Sequence, residues 1–134
     1  MKVYIAYKFK DTNPEELKKK LEELSKVIEE STGWKTFVFF RDVQNWQKST
    51  MSVKEIVARA KEEIAKCDAI LIEASEKANG VYFEAGYANA LDKKVIVIRK
   101  KSTEAAFLES IANTVIEYDN LEDLGEKLKL ISHS

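Results

Sequence analysis

Short runs of consecutive apolar residues alternate along the chain with longer stretches in which apolar residues recur every three or four positions. The first pattern suits strands covered on both faces, and the second suits amphipathic helices. Lys2 to Tyr7 forms the first apolar, β-prone run and ends in the polar segment Lys8 to Asn13. Asn13-Pro14-Glu15-Glu16 starts a helix: an amide N-cap, a proline at the first helical position, then two acids at the positive end of the dipole. Leu17, Leu21, Leu24 and Ile28 supply its apolar face, and Gly33 ends it. Phe37 to Phe40 reads as a second strand, followed by a loop from Arg41 to Thr50. Ser52-Val53-Lys54-Glu55 matches a capping box, with Ile56, Ala60 and Ile64 as the stripe of the next helix.

Asp68 opens a third strand over Ala69 to Ala74, and Gly80 to Leu91 follows as a helix rich in small residues. Val95 to Ile98 is a fourth strand, Thr103 to Ile111 a short helix and Thr114 to Tyr118 a fifth strand. A last helix starts at Asn120 with Leu121, Leu124, Leu128 and Ile131 facing inward. Strands alternating with helices at this spacing require right-handed crossovers and a parallel sheet covered on both sides. The expectation is one α/β domain over residues 1–134, a three-layer, doubly wound, five-stranded sheet in the flavodoxin-like order 2-1-3-4-5. In that order a ligand crevice opens beyond the carboxyl ends of strands one and three, flanked by Lys8 to Asn13 and Ser75 to Gly80.

Composition narrows the function classes. Apolar residues make up 45% and charged residues 34%, with a formal net charge of −1, which argues against charge-driven binding of polymeric nucleic acid or an anionic membrane. No apolar run is long enough to span a bilayer, and the first residues lack an export pattern, so a cytoplasmic protein is expected. Cys67 is the sole cysteine and His133 the sole histidine, and neither has neighbours suited to a metal site or a catalytic triad. Walker-type and dinucleotide-binding glycine patterns are absent, and no cofactor is expected.

The informative stretch is Gly80-Val81-Tyr82-Phe83-Glu84-Ala85-Gly86-Tyr87-Ala88, at the predicted crevice. A helix start favours negative charge, so a first-turn Glu84 would be held ionised at neutral pH. Acids are common in first turns for that reason alone. Glu84, however, is set among glycines, small residues and aromatics rather than lysine partners.

Cys67-Asp68-Ala69-Ile70-Leu71-Ile72-Glu73-Ala74-Ser75, followed after a short approach by Val81-Tyr82-Phe83-Glu84-Ala85-Gly86-Tyr87-Ala88, resembles the signature of the nucleoside 2-deoxyribosyltransferase family. The spacing from Asp68 to Glu84 is also similar to that of the related 2′-deoxynucleoside 5′-monophosphate N-glycosidases. Val3-Tyr4-Ile5-Ala6 resembles the family's opening strand. The resemblance implies that Glu84 is the nucleophile, that Tyr4 contacts it, and that the substrate is a small nucleoside or nucleotide. It also implies a homo-oligomer, for which Tyr82 and Tyr87 are candidate interface residues.

Two positions depart from the family pattern. An acid that helps the departing base usually stands where this chain has Ala60, and an Asp or Ser that contacts sugar or phosphate stands where it has Ala78. Asp42, Glu73 and Asn79 are the available substitutes. Trp46 is a candidate for stacking on a base, or else a hydrophobic plug beneath its loop. Lys8, Lys10 and Arg41 fall at strand ends and are candidate phosphate ligands, or else solvated surface charges. Tyr7, Ser75 and Gly80 complete the expected substrate contacts at the crevice.

Three readings follow. The first is cleavage or transfer of an N-glycosidic bond through Glu84. The second is a nucleotide-binding or sensing domain without chemistry, which the alanines at 60 and 78 favour. The third is a TIR-like interaction domain or NAD glycohydrolase, which shares the layer order and also relies on a glutamate.

Overall fold

The computed structural model describes residues 1–133. Five parallel strands, β1 (Lys2–Ala6), β2 (Lys35–Val38), β3 (Ala69–Glu73), β4 (Lys94–Lys100) and β5 (Thr114–Tyr118), form one sheet in the order β2-β1-β3-β4-β5. The expected α/β fold and strand order are therefore present. Among the described residues five helices connect them, α1 (Pro14–Thr32), α2 (Phe39–Asp42), α3 (Val53–Lys66), α4 (Asn79–Ala90) and α5 (Ala106–Glu109), and α6 (Leu121–Ser132) follows β5. None of the described helices is long and apolar enough to cross a membrane.

Period-two alternation sorts the strand residues between two cores. Val3, Ile5, Leu71, Ile96 and Ile98 pack with Leu17, Leu21, Leu24 and Ile28 of α1 and with Leu124 and Leu128 of α6. On the other face, Tyr4, Ala6, Ile70, Ile72, Val95 and Val97 pack with Ala60 and Ile64 of α3 and with Val81, Ala85 and Ala88 of α4. The small residues of α4 bring its backbone close to the sheet. The helix starts are closed as the sequence signals: Asn13 accepts from the N–H groups of Glu15 and Glu16, and Ser52 and Glu55 form a reciprocal capping box. Gly33 ends α1 with φ 77°, a backbone conformation that costs glycine nothing.

The second strand departs from expectation. It ends at Val38, and Phe39 and Phe40 turn into the one-turn helix α2. Side chains cause the turn: an Asp42 oxygen accepts the Val38 N–H at 2.9 Å, Arg41 donates to the Thr36 carbonyl at 2.8 Å, and the Phe40 N–H donates to the Tyr7 hydroxyl at 2.8 Å. Phe39 still enters the α3/α4 core and Phe40 the α1/α6 core, so their burial looks like that of a strand.

At the carboxyl end of β3, Glu73 is only 4% exposed. One oxygen accepts the Ser75 N–H at 2.7 Å and the other accepts the Tyr118 hydroxyl. Ser75 in turn accepts the Lys100 N–H at 2.9 Å, which ties β3, β4 and β5 together. Glu73→Ala removes the acceptor of the buried Tyr118 hydroxyl and is expected to lower stability by about 2–4 kcal/mol. Chemical denaturation checks this, and a loss below about 0.5 kcal/mol would show that the staple contributes little.

Candidate active site

The crevice at the topological switch between β1 and β3 is a cavity of about 480 Å³. Glu84 stands on its wall, carried by α4, and is half-buried. The Tyr4 side chain, 1% exposed on β1, donates its hydroxyl proton to Oε2 of Glu84. Tyr4 is itself fixed by the strand register and by stacking on Phe37, with ring centroids 5.4 Å apart. Glu84 Oε1 meets no hydrogen-bond donor among the described residues.

Because α4 begins at Asn79, Glu84 lies in the second turn, and no acid occupies the first. The expected ionised, dipole-held carboxylate is therefore corrected. Burial lifts the Glu84 carboxyl to about 7, and the Tyr4 hydrogen bond opposes that rise without cancelling it. Burial, together with the neighbouring Glu84 carboxylate, also holds the Tyr4 phenol far above its ordinary range, so Tyr4 remains a proton donor.

Tyr7 lines the cavity just beyond β1. Its oxygen accepts the Phe40 N–H, and burial raises its pKa above the usual phenol range. Phe39, Ile56, Ala60 and Val81 form an apolar wall. Lys8, Lys10, Asp11, Lys77, Asn79 and Gly80 supply polar lining, and α4 starts there without a side-chain cap at Ala78. Lys8 also lies 3.7 Å from Glu76. Both alanines that depart from the family pattern, Ala60 and Ala78, face this cavity.

Of the expected contacts, the fold brings Tyr7, Lys8, Asn79 and Gly80 to the same cavity as Glu84 and sets Tyr4 directly behind it. Four others lie elsewhere. Arg41 and Asp42 pair at 2.9 Å and pin the β2–α2 turn. Trp46 packs edge-on against Phe40 in the α1/α6 core, with Lys18 over its ring at 5.7 Å. Ser75 serves the staple at the ends of β3 and β4. Tyr82 is exposed, whereas Tyr87 is half-buried, stacked on Phe83 and covered by Lys61.

Sequence reasoning missed Phe9, Phe39, Gln44, Ile56 and Lys77 as cavity residues. Ile56 and Ala60 are one helical turn apart, so the stripe assigned to the core also reaches the cavity. Lys77 lies in the segment that flanks the crevice, which was its signal. Nothing in the loop around Gln44 marked it.

The fold is shared with solved structures of low sequence identity. A CMP N-glycosidase from Clostridium botulinum aligns with TM-score 0.69 and 23% identity over 98% of this chain and 99% of that one. A conserved protein from Enterococcus faecalis aligns with TM-score 0.70 and 16% identity over 97% and 98%. A 2-deoxyribosyltransferase from Bacillus psychrosaccharolyticus aligns with TM-score 0.66 and 18% identity over 96% of each chain. No curated protein sequence matches. The family model for nucleoside 2-deoxyribosyltransferase matches residues 3–128, nearly the whole chain, and gives the TIR-like reading no support. The chain therefore belongs to the nucleoside 2-deoxyribosyltransferase family, whose chemistry is that of glycosyl-transferring and glycosyl-hydrolysing enzymes.

Proposed function

We propose that this protein cleaves the N-glycosidic bond of a 2′-deoxynucleoside or its 5′-monophosphate, with Glu84 as nucleophile. The observation that carries the reading is the unpartnered Glu84 Oε1 on the cavity wall, while Tyr4 fixes the other oxygen from behind. Oε1 attacks C1′, the bond from C1′ to the base nitrogen breaks, and the base leaves with its electron pair. A glycosyl ester on Glu84 remains. A second base then attacks C1′ in transfer, or water does so in hydrolysis, and the carboxylate is released. The lysines and the uncapped start of α4 suit a 5′-phosphate, and the apolar wall suits the base.

Release of free base from a panel of 2′-deoxynucleosides and monophosphates, followed by chromatography with and without an added acceptor base, tests the proposal. Glu84→Gln preserves the shape and the acceptor for Tyr4 and is expected to slow release at least about 1,000-fold. A variant that retains wild-type turnover would remove Glu84 from the mechanism. A second reading, binding without chemistry, draws on Ala60 and Ala78, which leave apolar surface where acidic or polar help is expected. It requires a nucleotide-induced rise in Tm with no base released by the wild type.

The ionisation of Glu84 gives a pH signature. A nucleophile must be charged, so kcat/KM is expected to fall about tenfold per pH unit below about 7. Tyr4→Phe removes a bond that favours the charged form and should move this acidic limb to higher pH. An unmoved limb would show that another group controls it.

Stability carries the opposite sign. A carboxyl raised from 4.5 to about 7 on folding makes the folded state bind more protons between those values, so stability falls as pH rises through that window. The cost is absent below about 4.5 and complete above about 7. Glu84→Gln should therefore match the wild type at pH 4 and exceed it by about 1–3 kcal/mol at pH 8. Equal stabilities at both pH values would show that the carboxylate is not destabilised by its burial.

A further inference from the structure

We propose that the Tyr7 hydroxyl is the hydrogen-bond donor that receives the departing base, in place of an acid on α3. The inference rests on the reading of Glu84 as nucleophile. Tyr7 lines the Glu84 cavity, and its oxygen is held at 2.8 Å by the Phe40 N–H. The hydroxyl's own proton finds no acceptor among the described residues, although Glu84 and Asp42 are close enough to act on it electrostatically. A donor fixed through its oxygen with its proton unspent is oriented before any ligand arrives, and the N–H bond to its oxygen polarises the O–H further.

The tether of Tyr7 to Phe40 and the missing acid on α3 point to its target. Phe40 follows Phe39, which with Ile56 and Ala60 makes the apolar wall. The lysines and the start of α4 supply charged and polar lining of the same cavity. The Tyr7 oxygen is thus tethered next to the backbone of Phe39, an apolar residue of the cavity, while the Tyr7 ring packs with the α1/α6 core. Asp42, the nearby carboxylate outside the cavity, is already engaged by Arg41 and by the Val38 N–H. Ala60 supplies no polar atom; the neutral side-chain donors that line the cavity are Tyr7, Gln44 and Asn79, and of these only Tyr7 is held in place by a side-chain hydrogen bond among the described residues.

The step balances without transfer of the Tyr7 proton. The pair from the broken C1′–N bond goes into the base ring, and Tyr7 stabilises the developing charge by hydrogen bonding. The base then takes a proton from water as it leaves, while Tyr7 keeps its own.

The test is a leaving-group series with the full-length protein. Thymine, uracil and 5-fluorouracil deoxynucleosides or monophosphates differ in base acidity, and the guanine and 7-methylguanine pair differs in whether the base departs as an anion or neutral. Tyr7→Phe keeps the ring and removes the donor. It is expected to lower kcat by about 30- to 100-fold on the poorest leaving base and by less than about 3-fold on the most activated one. An equal loss across the series would assign Tyr7 a purely structural role as acceptor for Phe40, and no loss would assign it none; either result overturns the proposal. Should Tyr7→Phe fail to fold, 3-fluorotyrosine incorporated at position 7 keeps the oxygen and strengthens the donor. It should then accelerate release of the poorest leaving base selectively, and an unchanged or uniformly changed rate would overturn the proposal. If the wild type releases base from no substrate, the reading of the site itself falls, which is a different result from a uniform loss in the variant.

Discussion

The hydrogen bond from Tyr4 to Glu84 joins the sheet to the helix that carries the carboxylate on the cavity wall. It forms only if β1 lies beside β3, if α4 returns on the α3 side of the sheet, and if Tyr4 rather than Ile5 points to that side. A one-residue slip in β1 would turn Tyr4 into the α1/α6 core and leave Glu84 without its donor. The register from Tyr4 to Phe37 and Ile70 is therefore also the register of the site. Burial supplies the tension in the pair: it raises the carboxyl toward neutrality, and the phenol holds part of the charged form in place. A destabilised carboxylate is a better nucleophile than a solvated one, so under the proposed reaction the stability lost at Glu84 is matched by reactivity.

Most of the architecture was legible because its signals are local and redundant. The start of α1 combines an N-cap, a proline and two acids, and the start of α3 carries both halves of a capping box. The strand order follows from alternation and handedness, which leave few topologies. The failure at Phe39 and Phe40 has a different cause. Their turn is set by Asp42, Arg41 and the hydroxyl of Tyr7, and Tyr7 is 33 residues away from its Phe40 partner. Hydrophobic patterning cannot report a backbone turn that is imposed by a distant phenol, particularly when the buried faces remain the same.

The placement of residues around the cavity was legible at Glu84 and Tyr4 and less so elsewhere. Glu84 and Tyr4 were marked by their unusual neighbours and by family resemblance, and Asn79 and Gly80 by the predicted crevice. Arg41, Asp42 and Trp46 were chosen because they follow a strand end, but the early end of β2 places them where they hold a turn and fill the opposite core. Polar or aromatic residues after a strand serve the backbone as readily as a ligand, and only the geometry separates the two roles. Ile56 was hidden for the converse reason, since an apolar side chain on a helix stripe looks the same whether it faces the core or a cavity.

Two glutamate–tyrosine pairs occupy the carboxyl edge of this sheet, and the contrast between them separates structure from chemistry. Glu73 and Tyr118 lie on the α1/α6 side, and Glu84 and Tyr4 lie on the α3/α4 side. Glu73 has both oxygens engaged, by Tyr118 and by the Ser75 N–H, and its partners knit three strands together. Its acceptor capacity is spent on the protein. Glu84 gives one oxygen to Tyr4 and leaves the other in the wall of a cavity lined by apolar residues and by lysines. A buried acid with a donor on each oxygen is a structural fastener, whereas one with a donor on only one oxygen costs stability until a ligand arrives. The same residue pair thus differs in the number of donors around its carboxylate, and the oxygen left over at Glu84 is the one to which the proposed reaction assigns the attack on C1′.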